Sequence, residues 1–363
     1  MLAGDTYRHF ILTNAVGWLH LSQGPRSRSR RMLSSEIMRI AGLLLFFVFI
    51  ASSHITWIEK QPMPHGRAGG AAGLLGDHLV LAGGTVWDSG KKTWLDSMLI
   101  YDIRAGRWQE GPPLPYAMAY GPYTATQDEL EVFGGTDGTR HYRECWAFEV
   151  KTHHWKQTGI LPDDRLFAAA ANIVGDSHLL GGCRDWNDLT QCTDSVIRRR
   201  EGKWNRVSSL PHGAVIAEAV AACRGHIFIF GGCWMSQPGK LLTSSQAYSF
   251  DAAALKWRRL RDLPKSNRGA SAVSVGDRYI YLIGGYSTSE ERAAAEPVRS
   301  GFSRSVLIYD VETDTYQNST PLPVGLYGTD FFLHGDTIYG AGGEDGPRGR
   351  SARLLAGRIA SPR

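Results

Sequence analysis

Three arginines, one carboxylate and several aromatic residues recur at two equivalent kinds of position in this 363-residue chain. The first kind follows a di-glycine: Thr85, Thr136, Cys183, Cys233, Tyr286 and Glu344. The second follows a proline by one to five positions: Arg67, Tyr120, Arg165, His212, Arg268 and Tyr327. Brought together, such residues could hold a small polar anion. Guanidinium forks bind carboxylates in pairs of hydrogen bonds, and aromatic faces flank the ligand. A carboxylate among them adds a group able to move a proton. The same arginines have a structural alternative, pairing with carboxylates between repeats.

The elements that must position them repeat. Leu81–Gly84 (LAGG) returns as Val132–Gly135, Leu179–Gly182, Ile229–Gly232, Leu282–Gly285 and Gly340–Gly343, at steps of 51, 47, 50, 53 and 58 residues. A period near 50 points to kelch-type propeller blades. A second marker keeps register with the first. The pairs Tyr101/Trp108, Phe148/Trp155, Ile197/Trp204, Phe250/Trp257 and Tyr309/Tyr316 each precede a Leu-Pro. Six di-glycines and five following pairs leave one aromatic to find, and Trp57 supplies it. The expected fold is all-β: a six-bladed kelch β-propeller over residues 54–363. Residues near Ile55–Gln61 would be the outer strand of the blade that otherwise ends at Ser351–Ile359. Closure of this kind removes exposed sheet edges.

Each unit reads as four antiparallel strands. In the second they lie near Gly121–Thr126, Glu129–Phe133, Glu144–Val150 and His154–Thr158, and Gly-Asp turns such as Gly76-Asp77 join first to second in other units. The post-glycine and post-proline loops then open on one face and ring one mouth of the channel. Residues 286–303 form an insertion beside it, read as a lid or a disordered excursion.

Charge and cysteine narrow the function. Of the net charge of +5, residues 1–53 carry +4, so the basic balance is no argument for nucleic acid. Ile40–Ser53 is an apolar run of 14 residues after Arg39. A spanning helix needs about 20. The run fits a signal-peptide core with Met38 as an alternative start, so export to the periplasm or outside is expected, with an uncleaved membrane anchor as the other reading. Cys145, Cys183, Cys192, Cys223 and Cys233 form no CxxC zinc pair. Cys183 and Cys192 are spaced to bridge within one loop, yet an odd total leaves one thiol over. Small buried thiols are the simpler reading.

The first unit is the most distinctive: Gly83-Gly84-Thr85-Val86-Trp87-Asp88, then Lys92-Thr93-Trp94-Leu95-Asp96, then Leu114-Pro115 and Ala119-Tyr120-Gly121. It resembles the sialic acid mutarotase group of kelch proteins, the N-acetylneuraminate epimerases, particularly their cyclically permuted branch. Val86-Trp87 stands where that family has Asn-Phe. The resemblance implies an isomerase of a small acidic sugar that needs no cofactor or metal. It also implies a glutamate after a blade's glycine turn and an arginine six positions on, a spacing that Glu344 and Arg350 match. Glu344 would then be the acid/base group. Arg350, with Arg67, Arg165 or Arg268, would hold the sugar's carboxylate, with Thr85, Tyr120 and Tyr327 lining the site. The alternative is an exported, non-enzymatic propeller that binds carbohydrate or protein. Copper radical chemistry, as in galactose oxidase relatives, finds no matching tyrosine–histidine set. No phosphate loop, HExxH run or Gly-x-Ser-x-Gly elbow is present.

Overall fold

The computed structural model describes residues 54–185, 188–237, 240–287 and 301–360. The leader, the Met38 start and most of the 286–303 insertion fall outside the described residues.

Six four-stranded antiparallel sheets follow one another. Blade 1 runs Ala71–Leu75, His78–Ala82, Met98–Asp102, Arg107–Gly111, and blade 2 Tyr123–Ala125, Glu129–Thr136, His141–Glu149, His154–Ile160. Blade 3 runs Ala169–Ile173, Asp176–Leu180, Ser195–Arg200, Lys203–Ser209, and blade 4 Ala219–Cys223, His226–Phe230, Ala247–Asp251, Lys256–Arg259. Blade 5 runs Ser271–Val275, Tyr279–Ile283, Val306–Asp310, Thr315–Asn318. Blade 6 takes Asp330–His334, Thr337–Ala341 and Leu354–Ile359, and its outer strand is Ile55–Glu59 from the other end of the chain. The expected closure is thus present. Ile55 lies opposite Ile359, Trp57 opposite Gly357, and Ala360 N donates to His54 O at 2.9 Å.

The core lies between blades. Leu75, Val80 and Ile100 of blade 1 pack on Leu130, Val132 and Phe148 of blade 2. Near-continuous apolar second strands such as Ile227–Phe230 are buried because both of their faces are covered.

The outer aromatics couple each blade to the one before. Trp57 Nε1 donates to Thr320 O (3.2 Å), Trp108 Nε1 to Gln61 O (2.9 Å) and Trp155 Nε1 to Pro112 O (3.0 Å). Trp257 Nε1 donates to Ser208 Oγ (3.0 Å) and Tyr316 Oη to Arg261 O (2.8 Å). Each such bond contributes about 1 kcal/mol. Blade 3 departs from this belt. Its third and fourth strands are joined by a two-residue turn, Glu201-Gly202, where blades 1, 2, 4 and 5 have four residues, so Trp204 faces Arg199 and not the expected Ile197. Its indole N–H finds no acceptor among the described residues, and its ring meets Phe133 edge-on at 5.5 Å.

The di-glycines do what their backbone demands. Gly83 and Gly84 have φ of +66° and +94°, and a Cβ on Gly83 would sit 2.4 Å from Met118 O. The turn lets Gly84 N donate to Met118 O of the next blade at 2.7 Å.

Within the channel, Tyr123 of blade 2 hydrogen-bonds Asp330 of blade 6 beside the inner strand of blade 1. Burial pushes the Asp330 carboxyl up to about 6, against the pull of the Tyr123 hydroxyl. A carboxyl raised in the folded state binds its proton more tightly there than when unfolded. Its contribution is full below pH ~4 and is lost as pH rises through about 6. The span corresponds to about 3 kcal/mol. Asp330→Asn is therefore expected to flatten stability between pH 4.5 and 7.5. Denaturant midpoints at the two pH values measure it, and an unchanged slope would refute the assignment.

Candidate functional site

The rim of the channel is built from main chain. Gly69, Tyr120, Phe167, Ala217, Gly269 and Gly328, one per blade, all take left-handed φ between +55° and +72°. From the second onward each donates its N–H to the carbonyl of the one before: Tyr120 to Gly69 (2.7 Å), Phe167 to Tyr120 (2.8 Å), Ala217 to Phe167 (3.2 Å), Gly269 to Ala217 (2.8 Å) and Gly328 to Gly269 (2.9 Å). Tyr120, Phe167 and Ala217 hold a conformation that disfavours side chains, so this circle is kept at some cost in strain. The residue before each of these six bridges the post-glycine residue of its own blade: Ala68 to Thr85, Ala119 to Thr136, Leu166 to Cys183, Ile216 to Cys233, Arg268 to Tyr286 and Tyr327 to Glu344.

That register corrects part of the sequence reading. Arg268 and Tyr327 occupy the bridging place. Tyr120 lies one residue past it, His212 lies four before it, and Arg67 and Arg165 one before it. Those two arginines point back under the di-glycine turn. Arg67 donates Nη1 to Gly83 O (3.3 Å) and Ser97 O (2.9 Å), and Nη2 to Ser97 Oγ (3.2 Å). Arg165 repeats this with Gly181 O (2.9 Å), Ser195 O (3.0 Å) and Ser195 Oγ, and adds Asp163 at 2.8 Å. Arg165 is 1% exposed and Arg67 5%, and desolvation pulls the Arg67 guanidinium down to about 10. These bonds fasten second strand to third in their blades. Arg165→Met should lower stability by roughly 3 kcal/mol, because buried carbonyls and Asp163 lose their donor. Ligand affinity, read by calorimetry, should not change. A weakened affinity at intact stability would reverse the assignment.

The other predicted residues do meet. Glu344 Oε1 lies 2.9 Å from Arg350 Nη1, and the Arg350 side chain is only 7% exposed. Arg350 also donates Nε to Thr85 Oγ1 (3.2 Å) and Nη1 to Gly349 O (3.0 Å). Fully buried Thr85 donates in turn to Ala68 O at 3.2 Å. The last blade's carboxylate and guanidinium are thereby pinned against the first blade. Burial raises the Glu344 carboxyl above the ordinary glutamate range, and the charges of Arg350 and Lys92 partly offset this.

Lys92 is a member that sequence reasoning did not place. It sits on a hairpin, Thr85–Asp88 with Lys91–Trp94, where only a loop was expected. Its ammonium lies 4.7 Å from the Tyr120 ring centroid and 5.2 Å from that of Trp94. The alternation of Lys92 and Trp94 was the available signal. Across the mouth, the Arg268 guanidinium covers the Tyr286 ring at 4.1 Å and bonds Thr243 of a second hairpin, Cys233–Gln237 with Lys240–Thr243. Tyr286, Phe302 and Tyr327 form an edge-to-face trio with centroids 5.9–6.3 Å apart. Burial pushes the Tyr327 phenol up to about 12, so it stays protonated at neutral pH. Gly269 leaves room for this ring, since a Cβ there would lie 2.3 Å from it. Phe302, inside the insertion's far end, was also missed.

The mouth thus joins one carboxylate of raised pKa, two guanidinium groups and an ammonium to a bank of aromatic rings. Such a set can hold an anionic ligand and exchange a proton with it. Among the described residues, no cluster of three or more His, Cys, Asp or Glu could hold a metal ion.

Known proteins agree with the architecture. A solved structure titled "Structure of YjhT" superposes with a TM-score of 0.68 at 14% identity, covering 83% of this chain and 99% of that one. Beta-scruin of Limulus polyphemus is 25% identical over 64% of this chain and 24% of its own. The kelch-like protein terF of Aspergillus terreus is 21% identical over 75% and 60%. N-acetylneuraminate epimerase of Haemophilus influenzae is 23% identical over 45% of this chain and 50% of its own. The chain therefore spans between a quarter and three fifths of these relatives. The kelch motif matches residues 66–115, and the Attractin/LZTR1 beta-propeller model matches residues 118–349. With blade 1 accounted for by the first and most of the remaining ring by the second, the chain belongs to the Attractin/LZTR1 β-propeller family of kelch-repeat proteins.

Proposed function

We propose that this propeller is a mutarotase that interconverts the anomers of N-acetylneuraminate or a related acidic sugar. The observation that carries the reading is the Glu344–Arg350 pair, 2.9 Å apart at the mouth, with Glu344 desolvated and its pKa raised. Mutarotation opens and recloses a hemiketal ring. One group must take the anomeric hydroxyl proton, and a proton must reach the ring oxygen as its bond to the anomeric carbon breaks. At rest Arg350 neutralises Glu344. An incoming sugar carboxylate would take over the guanidinium, assisted by Lys92, and release Glu344 as a base beside the anomeric centre. Glu344 would later return a proton as the ring closes on the other face. Arg268, Tyr120, Tyr286 and Tyr327 would bound the sugar, and Thr85 would fix the Arg350 fork. The epimerase relatives from Haemophilus influenzae support this substrate class.

A second reading is a non-enzymatic propeller that binds carbohydrate or protein. It is favoured by the scruin and kelch-like relatives, and by Glu344 and Arg350 satisfying one another at rest. Exchange spectroscopy by NMR on the α and β anomers separates the two. Added protein should accelerate exchange well above the buffer rate. Binding with exchange left at the buffer rate would select the second reading. In either case the leader is proposed to export the chain to the periplasm or beyond.

A further inference from the structure

In blade 3 the chain leaves Gly181-Gly182 through a loop and returns into Ser195–Arg200. Two backbone bonds tie the legs of this loop: Thr193 N to Gly182 O (2.9 Å) and Arg184 N to Gln191 O (3.3 Å). They bracket Cys183 and Cys192, which face each other as antiparallel bridge partners. This bond pattern is that of a non-hydrogen-bonded pair, whose Cα atoms stand about 4.5 Å apart with side chains leaving on one face. A disulfide spans Cα separations of about 4.4–6.8 Å. Both residues are thiols in the structure, and the Cys192 thiol donates to Leu189 O at 2.9 Å. Cys183 is fully buried, while Cys192 is partly exposed and offers the reachable sulfur. Of the other cysteines, Cys145 and Cys223 lie on blades 2 and 4, and Cys233 packs near the pair but bridges Ile216.

We infer that Cys183 and Cys192 are an oxidation site, closing a disulfide that ties the two legs of this loop together at the rim of the mouth. The oxidant is a small disulfide such as glutathione disulfide. The Cys192 thiolate attacks one of its sulfurs and expels one glutathione thiolate. The Cys183 thiolate then attacks the Cys192 sulfur of the mixed disulfide and expels the second. The protein loses two protons and two electrons, and the two glutathiones gain them. The chemistry suits an oxidising compartment, which the proposed export would supply. Fastening the loop also holds Asp185 near His141 of blade 2, 3.9 Å away.

The test equilibrates the full chain with glutathione disulfide, unfolds it and alkylates it with iodoacetamide, with and without prior reduction. Three alkylated cysteines without reduction and five after it are expected, with a non-reducing digest yielding a peptide linked through Cys183 and Cys192. Cys192→Ser should then leave four alkylated thiols in both arms. Reduction of the wild type should lower Tm by roughly 5 °C, and Cys192→Ser should show no such shift. Five alkylated thiols without reduction would overturn the inference. So would a linkage through Cys233.

Discussion

Glu344→Gln is expected to slow anomer exchange by about 10²–10⁴-fold, the usual contribution of a positioned acid/base group. The amide keeps the shape of the carboxylate and can still accept from Arg350, so folding should be little affected. Binding of the sugar should persist or tighten, because the amide no longer competes as an anion for the guanidinium. In the wild type, exchange should rise with pH as Glu344 ionises, with a midpoint above the ordinary glutamate value because burial disfavours the charged form. NMR exchange rates from pH 4 to 8 test both points. A Glu344→Gln protein as fast as wild type removes the mechanism. A wild type that binds without accelerating removes the enzyme.

The second large effect concerns closure. Removing residues 54–61 takes away the strand Ile55–Glu59 and leaves Leu354–Ile359 as an open edge. Ile55 is fully buried, and Trp57 packs edge-on to Phe331 with centroids 5.9 Å apart. Losing two such side chains costs about 2–3 kcal/mol each, with about 1 kcal/mol for each lost bond. The sum rivals the 5–15 kcal/mol that typically separates folded from unfolded. Calorimetry should show no cooperative transition for residues 62–363, and light scattering should show association through the bare edge. A transition within a few degrees of that of residues 54–363 would refute closure as the source of stability. Trp57→Phe is the milder probe, because it keeps an aromatic ring there while losing the donor to Thr320 and part of the indole's packing area.

The scaffold was legible because its signals are local and repeated. A di-glycine must turn in every blade, and an aromatic seven residues past its partner lands opposite it across a two-strand turn. Trp57 could be assigned to blade 6 only because the count of aromatics fell short by one. The exception has a cause: the Glu201-Gly202 turn is two residues shorter than the turns of blades 1, 2, 4 and 5, which moves Trp204 from Ile197 to Arg199. The placement of residues at the mouth was legible where topology alone decides it, as for Glu344, Thr85, Arg268 and Tyr327. It failed at Arg67 and Arg165, which stand a single position from the bridging residue. In extended chain one step turns a side chain to the opposite face, here from the mouth to the underside of the turn. Lys92 was hidden for a different reason. Its hairpin is an addition to the blade and follows no period, so nothing in the repeat predicts where its ammonium comes to rest.

The circle of left-handed residues at the mouth has a bearing on how such a protein can change its ligand. An aperture bordered by amide bonds between five of its six neighbouring pairs resists dilation along that arc, because a bulkier guest would have to part them. Under the proposed function, selectivity is expected to reside in the two hairpins and the Arg268–Tyr286 side, which stand on this frame. Swapping the Thr85–Trp94 hairpin for one of different sequence should re-key what enters while leaving the gauge of the opening untouched.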